Sequence, residues 1–157
     1  MRSLLAAIAR RHVVGFVTTG RRIRRLDRTA HRNGPEGNVR RVGWVPEERL
    51  PTLPGAADVM LRSYTRRPVN LGRSPNSAGP ATAAARPIVT HDTGDLGALV
   101  RTEGIGLAAE ECGEAMAQAV QPLLDDPARA EAMGRRARHP AETTLAWSTL
   151  AAGLARF

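Results

Sequence analysis

The chain has 157 residues, 42% of them hydrophobic but only five aromatic, which suits one domain with a core of Ala, Leu and Val. All 23 basic residues are arginine against 15 acids, and residues 1–50, with twelve arginines and four acids, hold the whole positive excess. A lone cysteine excludes an internal disulfide, no stretch is long and apolar enough to span a bilayer, and no zinc spacing, helix-turn-helix pattern or interleaved aromatics turns the basic third into a nucleic-acid reader.

In chain order, Leu4, Leu5 and Ile8 mark a short amphipathic helix ending near Arg11 and His12. Arg10 and Arg11 interrupt its apolar run and no cleavage region follows, so it does not read as a signal peptide. Residues 13–17, VVGFV, have the composition and length of a buried strand. A turn at Thr18, Thr19 and Gly20 leads to a helix with Ile23, Leu26 and Ala30 on one face, stopped by Asn33-Gly34-Pro35. Val39 to Val45 reads as a second strand closed by Pro46. A helix opening at Pro46-Glu47-Glu48 is kept short by Pro51 and Pro54.

Ala57 to Leu61 reads as a third strand, and Asp58, a candidate acid, is more simply read as the turn residue that leads into it. Residues 63–80 are polar, basic and rich in Gly, Pro and Ser, and are read as a flexible surface loop. An alanine-rich segment, 81–85, precedes a fourth strand at Pro87–Thr90. A turn at Gly94, a brief helix over Leu96–Val100 and a last strand near Ile105–Ala108 follow. Met116, Ala119, Val120 and Leu123 define a helix over Gly113–Leu124, with Cys112 beside it as a small, partly buried filler. Asp125-Asp126-Pro127 opens another helix, closed by His139-Pro140. A final one occupies the 141–157 segment, with Leu145, Leu150 and Leu154 as its stripe and Trp147 alongside.

Strands alternating with helices imply a single α/β domain over 1–157, Rossmann-like, with a mostly parallel sheet and helices on both faces. Ligands of such sheets sit at the carboxyl ends of the strands, here Thr18–Gly20, Gly43–Pro46, the 63–80 loop and Asp92–Leu96. A glycine turn before a helix suits a diphosphate, so Gly20, Arg21 and Arg22 are candidates. The competing reading is a tight turn with solvated arginines. His91-Asp92 at a strand end is a weaker ligand candidate. His12, His31, His91 and His139 are too scattered for a metal site, and no cofactor is expected.

Five segments in this order, FVTTGRRIRRL (16–26), NVRRVGWVPEERLPTLPGAADVML (38–61), RPIVTHDTGDLGALV (86–100), GIGLAA (104–109) and LLDDPARAEAMGRRAR (123–138), resemble the carboxy-terminal, donor-binding domain of retaining glycosyltransferases with two Rossmann-like domains, the group 1 or family 4 type. The resemblance implies a nucleotide-sugar or nucleoside diphosphate as partner, its base unspecified, and transfer of the sugar to an acceptor hydroxyl. It implies diphosphate contacts at Gly20 and Arg21 and a nucleobase beside the backbone of Gly43, Trp44 and Val45. A donor loop carrying Arg73, Asn76 and Ser77 completes the set. No catalytic residue is assigned.

The match also departs from the pattern. In SPNSAGPATAAARP, residues 74–87, Ser77 stands where the family has a lysine, Pro80 where it has a ribose-binding glutamate, and Ala85 where it has a glycine. The usual first strand and the whole acceptor domain have no counterpart in the sequence, so the resemblance describes a truncated donor half that needs a separate amino-terminal acceptor domain. In the family, Trp147 and the final helix would pack back across the domain junction. The expected location is cytoplasmic, with peripheral attachment to the inner face of the membrane as its variant. The alternatives are an inactive remnant and a small Rossmann-like nucleotide- or protein-binding module.

Overall fold

A computed structural model describes the backbone of residues 14–16 and 39–41 and the full structure of residues 45–72 and 78–155. Strand β1, Val14–Phe16, pairs in parallel with β2, Val39–Arg41. A 3₁₀ turn over Glu47–Arg49 follows Pro46, and the short helix α1, Thr52–Gly55, ends before its second turn. Strand β3, Met60–Arg62, helix α2, Pro68–Leu71, and helix α3, Ala78–Ala83, lead to β4, Ile88–His91. Then come α4, Gly94–Glu103, β5, Gly106–Ala109, α5, Gly113–Asp125, α6, Pro127–Glu142, and α7, Trp147–Leu154. The protein is a single α/β domain with a mostly parallel sheet flanked by helices.

Strands β3, β4 and β5 form one parallel sheet in that order, with Leu61 opposite Val89 and Val89 opposite Leu107. Every residue of the central strand is buried, so its alternating side chains feed two separate cores. Val89 packs with Met116, Val120 and Leu123 of α5. Ile88 points the other way, toward Ala81, Leu96, Val100, Ile105 and Ala137. The i, i+4, i+7 spacing of Met116, Val120 and Leu123 is the apolar face that the sequence displays.

Several local expectations need correction. The third strand begins at Met60 rather than Ala57, because its first amide pairs with Pro87 O and Asp58 lies in a bend before it. The segment 63–80 contains α2, opened by Pro68 in its first turn, and the start of α3. Helix α4 is ten residues long, because Leu96 and Val100 are both buried and Gly104 at φ 60° caps it. Helix α6 runs through Pro140, which is fully buried, and ends at Glu142. Thr143 and Thr144 close it, their hydroxyls donating to His139 O and Pro140 O. Cys112 is exposed and precedes α5 as its cap, Sγ accepting from Ala115 N at 3.3 Å.

Helix α6 holds the sheet's neighbours by their ends. Arg136 Nε donates to Gly104 O, just past α4, at 2.9 Å, and Arg138 reaches Ala83 O at the end of α3. From the start of the next strand, Arg86 donates to Gly55 O at the end of α1, at 2.6 Å. Each guanidinium meets a carbonyl at or just past the carboxyl end of a helix, the negative end of its dipole. Arg135 and Arg138 also pair with Glu131 and Glu142 one turn away.

Backbones also approach closely at Gly134, where a β-carbon would collide with the carbonyl oxygen of Ala85. Ala85 itself has φ 53°, left-handed backbone that costs an L-residue roughly 1–2 kcal/mol. The family's glycine at this position would not carry that cost. We expect Gly134→Ala to lower unfolding free energy by about 1–3 kcal/mol through overpacking. Ala85→Gly should raise it by about 0.5–1 kcal/mol, strain relief outweighing the added freedom of the unfolded chain. Urea denaturation reads both, and opposite signs would refute the account.

Candidate functional site

In an open parallel sheet the carboxyl edge is the ligand edge, since βα turns and helix amino termini converge there. Here Arg62, His91 and Ala109 end the three strands. The segment after β3 crosses that edge and is pinned to it. Tyr64 O meets His91 Nδ1 at 2.9 Å, and Arg66 N donates to Glu111 Oε2 at 2.6 Å. Asn70 Nδ2 donates to Thr65 O at 2.8 Å. At Gly94, φ 61°, a β-carbon would come within 2.6 Å of Asn70 O and 2.7 Å of Leu71 O. Glycine is therefore needed both for the turn and for the close seat of α2.

These contacts decide the roles of the strand-end residues. His91 is buried and its Nδ1 is engaged with the chain's own backbone. Asp92 pairs with Arg101 of α4. Arg62 donates through one terminal nitrogen to Leu61 O, and burial pushes its pKa below the ordinary value, with Tyr64 opposing the shift. A guanidinium starts so far above neutrality that it keeps its charge. Thr90 lies two residues after Ile88 and so on the same face of β4, fully buried, its hydroxyl without a hydrogen-bond partner among the described residues. Among the described residues, no group of three His, Cys, Asp or Glu side chains is placed to hold a metal ion.

A second concave surface runs along α3. A groove of about 1070 Å³ lies between Leu50 and Pro51 on one side, Ala78 and Pro80 of α3 at its floor, and Leu145 and Trp147 on the other side. Among the described residues, no charged side chain lines it. Pro80, which the resemblance sets at a ribose-binding glutamate, therefore presents an apolar ring to this space and no acceptor. Helix α7, which buries none of its residues, borders the groove. Trp147 is 85% and Leu154 76% exposed. Among the described residues, no helix is long and apolar enough to cross a membrane.

Of the residues that the sequence nominates, Val45 lies in the described structure. It is buried, next to Pro46 and outside any strand. Gly20, Arg21, Gly43, Trp44, Arg73, Asn76 and Ser77 lie outside the described residues, as do His12 and His31. Glu111 as the tie on the β3–α3 connection was missed, because a side chain 45 positions from its backbone partner leaves no local signal.

A model of the family described as glycosyl transferases group 1 matches residues 1–126. Over 137 residues the chain is 31% identical to a GDP-mannose-dependent α-(1-6)-phosphatidylinositol monomannoside mannosyltransferase of Mycobacterium tuberculosis, covering 84% of this chain and 35% of that protein. Sucrose-phosphate synthase from Thermosynechococcus elongatus superposes with a TM-score of 0.85 at 24% identity, over 99% of this chain and 40% of that one. Anabaena HepE in complex with UDP gives a TM-score of 0.78 at 17% identity, over 99% and 44%. The chain thus spans about a third of the curated relative and two fifths of the solved structures. Its fold is that of one Rossmann half of a larger, two-domain enzyme of the GT-B type.

Two substitutions test the site's energetics. Thr90→Val keeps the shape and removes the orphaned hydroxyl, so stability should rise by about 1 kcal/mol in urea titrations. A loss of similar size would mean that the hydroxyl has a partner worth keeping. Trp147→Ser should change unfolding free energy by less than about 0.5 kcal/mol, as expected of an exposed side chain. It should also reduce any self-association seen by sedimentation.

Proposed function

The chain belongs to the glycosyl transferases group 1 family, and on that footing we propose that it is the carboxy-terminal, donor-binding half of a glycosyltransferase, acting with an amino-terminal domain that presents the acceptor. The supporting observation is the family match over most of the chain, together with a parallel sheet whose carboxyl edge leads into the proposed donor loop. In this reading, Gly20 and Arg21 hold the diphosphate through a helix amino terminus and a guanidinium. The backbone of Gly43, Trp44 and Val45 borders the base, and Arg73, Asn76 and Ser77 complete the loop over the donor. The reaction moves a sugar from the nucleotide to an acceptor hydroxyl and releases a nucleoside diphosphate. The nucleotide sugar is a substrate, and no cofactor is required.

This chain supplies one wall of the cleft. Transfer needs donor and acceptor held together with water excluded, so in this reading residues 1–157 act together with an acceptor-presenting domain. The exposed apolar helix α7 and its groove are the surface we propose for docking the acceptor half, since an uncharged patch rimmed by Trp147 gains most from being covered. In this reading the protein works in the cytoplasm, with peripheral attachment to the inner membrane face as the variant. Ser77 and Pro80 favour a second reading, a half that keeps the fold but has lost donor affinity.

An amide NMR titration separates the two. The 31% identical relative uses GDP-mannose by name and HepE is described with UDP, so GDP and UDP are the first probes, with ADP as the comparison. Donor binding predicts saturable shifts for one nucleotide at Gly20, Val45 and Asn76. Dispersed spectra unmoved by any of the three at millimolar concentration would refute donor binding and leave the second reading.

A further inference from the structure

No further inference is drawn: the strongest candidate, the uncharged groove between α3 and α7 with Trp147 at its rim, belongs to the docking face already proposed, and nothing in the structure shows what else covers it.

Discussion

The backbone-to-backbone contact of α6 with the turn between α3 and β4 governs much of this domain. Gly134 lets the helix lie directly on the Ala85 carbonyl, which lowers Ala137 into the core beside Ile88 and Ala81. A chain with so few aromatics cannot fill wide gaps between elements, so it brings the elements closer with alanine and glycine. The arginines then act at the surface of the same contact. From α6 they reach the last carbonyls of α3 and α4, so that one helix fixes the ends of two others. Lysine would serve poorly here, because a guanidinium offers several planar donors to a carbonyl and a carboxylate at once. Arg138 uses that capacity, meeting Ala83 O and Glu142 together.

What was legible in the sequence follows the reach of each signal. The helix over Gly113–Asp125 and the start of α6 were visible because their determinants are local. Met116, Val120 and Leu123 share a face, and Asp126 caps Arg129 N at 3.0 Å just before Pro127. Strand β4 was visible as a β-branched run after a proline. The start of β3 was misplaced because Ala57 and Val59 look as strand-like as Met60, and the partner strand decides where pairing begins. Helix α2 is too short to show a period. Pro140 looked like a stop, yet the helix runs two residues past it with the proline ring fully buried.

The site divides along the same line. Motif order and spacing carried the family, and the family carried the fold of a Rossmann half. The ties that hold the β3–α3 connection over the sheet edge, Glu111 to Arg66 N and His91 to Tyr64 O, join residues far apart in sequence. They have no motif of their own. His91 and Asp92, the weaker ligand candidates at a strand end, have Nδ1 engaged by Tyr64 O and a carboxylate oxygen paired with Arg101.

Among the described residues, helix α7 differs from the other long helices in what it contributes to folding. It buries no residue, while the strand at the centre of the sheet is buried throughout. Detaching α7 would expose little apolar surface that is not already wet, so its docking equilibrium is nearly decoupled from the unfolding equilibrium of the body. An association that covers this helix would therefore break few internal contacts of the body, leaving its free energy available for affinity.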